Sequence, residues 1–157
     1  MRTILVVEDF DDVRQMLRIL LESENYRVLE ASTGTEALKI LSTGHADVIL
    51  MDLALPGFDG FETIRRIRKI DGFQDTPIII LSAYSGPSVY ETARRAGTDV
   101  VITKPIDFDE LAVLLEEIFE DGTVGKSKAI RSSVQRAMIK GKMAMPRAVI
   151  REIRSTI

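Results

Sequence analysis

The chain has 157 residues, 45% hydrophobic and 29% charged, with a formal net charge of −3. That length and mix fit one globular domain plus a remainder, and no apolar run approaches the roughly 18 residues a membrane-spanning helix needs. The apolar run in MRTILVVED is too short for a signal peptide, and the absence of cysteine excludes disulfides and Cys-ligated zinc, so a cytoplasmic protein is expected.

In chain order, TILVVE (3–8) is the first of several short blocks rich in β-branched residues. VRQMLRILLE follows and places Val13, Met16, Leu17, Leu20 and Leu21 on one helical stripe. YRVLEA (26–31) is the second block. After the turn and cap residues Ser32, Thr33 and Gly34, TEALKILS turns Ala37, Leu38 and Leu41 to one side. DVILM (47–51) is the third block, and FETIRRIRKI after it sets Phe61, Ile64, Ile67 and Ile70 inward, with Arg65, Arg66, Arg68 and Lys69 outside. PIIIL (77–81) precedes SVYETARRAG, a helical segment ending on Gly97. DVVIT (99–103) precedes FDELAVLLEEIF, which carries Leu111, Leu114, Leu115 and Ile118 inward.

Most of the blocks are continuously apolar, as strands covered on both faces are. Strand and helix alternate five times in about 120 residues, too few for an eight-fold barrel. The expectation is an α/β domain with an open, doubly wound parallel sheet, whose ligands bind at the carboxyl ends of the strands. Polar residues stand at those ends: Glu8 and Asp9 after the first strand, Asp52 after the third, Ser82 after the fourth and Lys104 after the fifth. No glycine-rich phosphate fingerprint follows the first strand, so nucleotide binding is not expected.

An unpaired carboxylate at the end of a buried strand is costly, so Asp52 in DVILMDLALPG asks for a reason. Three carboxylates converging on one sheet edge repel each other unless a cation joins them, and hard oxygen donors suit Mg²⁺ or Mn²⁺. Lys104 would offset more of the charge and pair with phosphate as a point charge, and Ser82 can donate to a phosphoryl oxygen. Between metal and lysine, Asp52 stays ionised and can attack phosphorus. Charge stabilisation by the ion and Lys104 is most of what phosphoryl transfer requires.

These residues resemble the receiver domain of two-component response regulators, and the single-domain chemotaxis-type regulators in particular. VVEDFDDVR is similar to the family's acidic motif, ILMDLALPGFDG to its phosphoacceptor loop, IIILSA to its hydroxyl motif and VITKP to its lysine motif, in that order over residues 1–121. The resemblance implies a flavodoxin-like strand order 2-1-3-4-5 and a cis bond between Lys104 and Pro105. It implies that a sensor histidine kinase or phosphotransfer protein phosphorylates Asp52. Mg²⁺ would be bound by Asp9 directly, by Glu8 through water, by Asp52 and by the backbone carbonyl of Ala54. Lys104 would pair with the phosphoryl group, and Ser82 would move toward it. That movement would alter the surface of the fourth helix, fifth strand and fifth helix, through which a downstream protein or a second copy of the chain would bind.

Two departures concern the body of the chain. Val101 stands where the family usually has a Tyr or Phe that rotates inward with the switch. Ala54 and Tyr84 stand two residues after the phosphoacceptor and after the hydroxyl residue, where side chains influence attack of water on the phosphate. Ala54 cannot orient that water, so slow self-dephosphorylation is expected. A phosphorylation-independent binding module, a degenerate receiver, is the alternative reading. A more remote one is a phosphatase of the haloacid-dehalogenase type, which uses an aspartate nucleophile but wants a second Asp where Ala54 stands.

The third departure is the basic linker and short helical tail of residues 122–157. Residues 1–121 hold 12 Lys and Arg against 23 Asp and Glu, a net of −11; residues 122–157 hold 9 against Glu152 alone, a net of +8. At 100° per residue from Pro146, Val149, Ile150, Ile153 and Ile157 share one arc, and Arg147, Arg151 and Arg154 share another. Packing of the apolar arc on the body or on a sister subunit is favoured over a nucleic-acid role, since no aromatic residues interleave the charges.

Overall fold

The continuously apolar blocks become the five strands of one parallel sheet, in the order β2-β1-β3-β4-β5. The structure, a computed structural model, describes residues 1–57, 59–84 and 86–120. Its elements run β1 (Thr3–Val7), α1 (Asp11–Ser23), β2 (Arg27–Ala31), α2 (Gly34–Thr43), β3 (Val48–Asp52), α3 (Gly60–Ile67), β4 (Ile78–Ser82), α4 (Pro87–Ala96), β5 (Val100–Thr103) and α5 (Phe108–Glu120). The expected helical tail, with Arg147, Arg151 and Arg154, lies outside the described residues. Among the described residues no helix is long and apolar enough to cross a membrane.

Alternation of side chains along each strand divides the core in two. Ile4, Val6, Val48, Leu50, Ile79 and Leu81 face α1 and α5, where Leu17, Leu21, Leu111, Leu114, Leu115 and Ile118 meet them. Leu5, Val7, Ile49, Met51, Ile78 and Ile80 face the other way, onto Ala37 and Leu41 of α2, Ile64 and Ile67 of α3, and Ala93 and Ala96 of α4. The three central strands are buried along their whole length, and each buried Val, Leu or Ile contributes about 1.5–3 kcal/mol.

Helix starts follow the sequence closely at α2 and α3. Thr33 caps α2 by accepting from the Glu36 amide at 3.1 Å, while the Glu36 carboxylate reaches back to the Ser32 amide at 2.7 Å. Hydrogen bonds from the Ser32 amide and then the Ser32 hydroxyl hold the Glu36 pKa below the ordinary carboxylate value. Asp59 caps α3 by accepting from the Glu62 amide at 2.6 Å. Helix α4 closes on Gly97 in the left-handed region, φ 97°, as its position in the sequence implied.

Two expectations need correction. On α1 only Leu17 and Leu21 are buried, with Val13 packed against them; Met16 and Leu20, expected inside, are 41% and 36% exposed, and Ile19 is 56% exposed. The apolar arc of α1 is wider than the strip that the sheet and α5 can cover. Arg68, expected on the wet face of α3, is instead turned in where that helix ends at Ile67. Its guanidinium donates to the carbonyls of Phe73, Thr76 and Gly97 and to Asp99 Oδ2 at 2.9 Å. Arg65 and Arg66 do lie outside, each bonded to Glu62.

The amino ends of β3 and β5 share a device. Asp47 accepts from the Thr3 amide at 2.7 Å and Asp99 from the Ile78 amide at 2.9 Å, each pinning the start of the neighbouring strand. Burial works against the Asp47 charge, but the Thr3 amide, His45 and Arg2 outweigh it and lower its pKa.

Candidate functional site

The parallel sheet puts the last residues of β1, β3, β4 and β5 at one edge, and four of the expected site residues meet there. Asp52 ends β3 and is 4% exposed; Glu8, one residue past β1, is 1% exposed; Asp9 beside it is exposed. One carboxylate oxygen from each of Glu8, Asp9 and Asp52 lies within 4.8 Å of the others. Lys104, one residue past β5, reaches across, its Nζ donating to Asp52 Oδ2 at 2.6 Å and to Glu8 Oε2 at 3.0 Å. One ammonium therefore faces three carboxylates, and the oxygen-only donor set fits a hard divalent cation.

The electrostatics follow from that imbalance. Burial raises the Glu8 pKa, the Lys104 hydrogen bond opposes the rise, and the nearby Asp52 charge adds to it. Burial also disfavours the Lys104 charge, but its bonds to Asp52 and Glu8 outweigh this and raise its pKa. Asp52 is held at its other oxygen as well: Oδ1 accepts from the Ala54 amide at 2.9 Å. The resemblance implies a role for the Ala54 carbonyl only; this amide contact is one that any residue except proline would supply.

Neither Asp9, Asp11 nor Asp12 caps α1, whose first turn begins after Phe10 without a side-chain cap. Of the acidic pair only Glu8 bonds the backbone at this turn, its Oε1 accepting from the Phe10 amide at 3.3 Å. Arg14, unremarked in the sequence reading, ties α1 to the site by donating to the Glu8 carbonyl at 2.8 Å. Gly60 does similar work on the far side. A Cβ there would sit 2.8 Å from the Asp52 carbonyl oxygen, so only glycine lets α3 start this close to the end of β3. The residue types carried no hint of either contact; both depend on where the chain crosses itself.

Ser82 is fully buried one residue beyond Leu81, which lies opposite Asp52 in the sheet. Its hydroxyl is turned into its own loop, donating to the Tyr84 carbonyl at 2.9 Å and accepting from the Tyr84 amide at 3.0 Å. The Tyr84 ring itself is 69% exposed. The Ser82 carbonyl accepts from the Lys104 amide at 2.7 Å, which fixes the ends of β4 and β5 together. The bond between Lys104 and Pro105 is cis. Val101 is half-buried on β5 and packs against the cluster that includes Ile78 and Ile80.

The response regulator receiver domain model matches residues 4–116. The chain belongs to that family. The receiver is 39% identical over 115 residues to the transcriptional regulatory protein ResD of Bacillus subtilis, covering 73% of this chain and 47% of that protein. Several curated regulators that it matches are about twice its length, the chain spanning 53%, 46% and 47% of them. Among solved structures it is similar to the receiver domain of sensor histidine kinase PA1611 from Pseudomonas aeruginosa, a structure with a magnesium ion coordinated in the active-site cleft. That match has 31% identity and TM-score 0.70, over 76% of this chain and 98% of that one. It is also similar to the response regulator TrrA of Thermotoga maritima in complex with Mg²⁺ and BeF, at 35% identity and TM-score 0.67 over 75% and 99% of the two chains. The receiver thus has the fold that the sequence implied, and its acidic pocket lies at the carboxyl edge of the sheet.

Proposed function

We propose that this receiver is a phosphoacceptor switch in which Asp52 takes a phosphoryl group from a sensor histidine kinase or a phosphotransfer protein. The observation that carries the reading is the Lys104 bridge: one cation, bonded to both Asp52 and Glu8, beside a cluster that Asp9 completes. In the transfer, an Asp52 carboxylate oxygen forms the new P–O bond while the P–N bond to the donor histidine breaks, and the electron pair leaves on the imidazole nitrogen. Glu8, Asp9 and Asp52, with the backbone carbonyl of Ala54, would hold Mg²⁺, or Mn²⁺ in its place. When bound, the ion supplies positive charge against the phosphoryl oxygens. Lys104 then exchanges a carboxylate partner for a phosphoryl oxygen without leaving the site.

Ser82 is the switch residue in this reading. To reach the phosphoryl group its hydroxyl must give up two bonds to Tyr84, each contributing about 0.5–1.5 kcal/mol, which the new bond to the phosphoryl oxygen has to offset. Val101 cannot swing an aromatic ring inward, so the change passes to the α4-β5-α5 surface through the Ser82 loop and α4. A downstream protein or a second receiver would read it there. Without a polar side chain at Ala54 to orient water, the phosphoryl group is long-lived.

The test is incubation with acetyl phosphate and Mg²⁺ followed by intact-mass measurement. One added phosphoryl group is expected, absent in Asp52→Asn and absent with a chelator. An adduct that survives in Asp52→Asn overturns the assignment. No adduct on the unaltered chain favours the phosphorylation-independent binding module, and multiple turnover of the donor favours a phosphatase.

A further inference from the structure

Helix α1 carries an apolar surface that the receiver core leaves uncovered. Among the described residues, three of the six large hydrophobic side chains that stand exposed are Met16, Ile19 and Leu20, side by side on its outer face. With Asp12 and Gln15 they line an open depression of about 480 Å³. Asp12, which lines the depression, and Glu22, three residues after Ile19, have no ion pair among the described residues, whereas Arg14 and Arg18 on the opposite flank are both paired to Glu30. The uncovered face is therefore apolar at its centre and negative at its rim.

We propose that the occupant of this face is the chain's own basic segment, residues 146–157. Its sequence offers the complement: Val149, Ile150, Ile153 and Ile157 on one arc at helical spacing, and Arg147, Arg151 and Arg154 centred about 110° around from them. The arginines flank the apolar arc instead of opposing it, which lets them reach an acidic rim while the aliphatic side chains cover Met16, Ile19 and Leu20.

The path of the chain favours the same pairing. Phe119, near the end of α5, packs at a tilt against Tyr26 with ring centroids 5.4 Å apart, and Tyr26 lies three residues past the end of α1. The chain thus leaves α5 beside the carboxyl end of α1. At 1.5 Å per residue, Ile19 is only about 6 Å along α1 from Ser23. The intervening residues 121–145 can span on the order of 80 Å when extended, so reach is ample. The net charges of −11 for residues 1–121 and +8 for 122–157 add a favourable, salt-sensitive attraction. Docking here would cover α1 beside the acidic pocket and compete with any partner that approaches along that helix. It involves no step at Asp52 and stands or falls apart from the phosphoacceptor reading.

The chain has no cysteine, so an engineered pair reports the contact directly. In the full chain at low concentration, Ile19→Cys with Ile153→Cys should form an intramolecular disulfide at least about ten-fold faster than Ile19→Cys with Arg151→Cys, whose linker is the same length within two residues. Ile19 is more than half exposed, so its replacement leaves the core intact. The advantage should shrink in high salt. Equal rates for the two pairs, or a disulfide that joins two chains, overturn the proposal.

Discussion

Lys104 is the residue on which the site turns. It is the only cation bonded to the carboxylates of the pocket among the described residues, and it is shared between two of them. Removing it leaves buried acids uncompensated, which is destabilising, yet it also removes positive charge from the place a metal would occupy. Lys104→Ala should therefore lower the stability of the metal-free protein while strengthening Mg²⁺ binding, and should slow phosphorylation by acetyl phosphate. Denaturant midpoints with a chelator and Mg²⁺ titration by fluorescence or calorimetry check the two signs. Weaker Mg²⁺ binding would contradict this account of the pocket. Lys104, Asp52, Glu8 and Asp9 were all legible in the sequence, because a parallel sheet forces strand ends together whatever the loops do. The Ser82–Tyr84 pairing was not legible, since a hydroxyl at a strand end has several partners within reach and only the loop path selects one.

At the scale of elements, the joints between helix and strand depend on groups that residue type assigns wrongly. Its charge makes Arg68 read as one more surface arginine after Arg65 and Arg66. At 100° per residue, however, it falls between Phe61 and Ile64 on the inward arc, and its amide still bonds the Ile64 carbonyl, so the side chain projects over the amino ends of β4 and β5. There it satisfies carbonyls of Phe73, Thr76 and Gly97 and pairs with Asp99, which in turn holds the Ile78 amide. With the guanidinium gone, several carbonyl acceptors and the buried Asp99 carboxylate lose this donor. Arg68→Ala should cost about 3 kcal/mol of stability, read from the denaturant midpoint at unchanged slope. A loss no larger than that of Arg65→Ala, which breaks only an exposed pair with Glu62, would show that the network contributes little. The opposite error occurred on α1, where a wide apolar arc reads as an inward face but the covering surface is narrow. A hydrophobic pattern reports what a helix can bury, and the neighbouring elements determine how much of it is buried.

Across the whole molecule, the alternation of five strands with five helices followed from the apolar blocks and the spacing between them, whereas the strand order was implied by the family resemblance and not by the pattern. The alternation depends on burial summed over many residues, which tolerates an error of one residue at each boundary. The chemistry depends on a few atoms within hydrogen-bond distance, and the sequence placed those correctly only where the sheet itself fixes them. The same sheet concentrates negative charge at its carboxyl edge, which makes a metal-free receiver a fold with an unmet electrostatic demand. The most direct test is a structure of the full chain with Mg²⁺ and beryllium fluoride. The account predicts fluoride-bearing beryllium on an Asp52 carboxylate oxygen, the metal among Glu8, Asp9 and Asp52, and Lys104 turned from Glu8 toward a fluorine. A pocket that takes up neither ion under those conditions, with Lys104 still bridging Glu8 and Asp52, would contradict it.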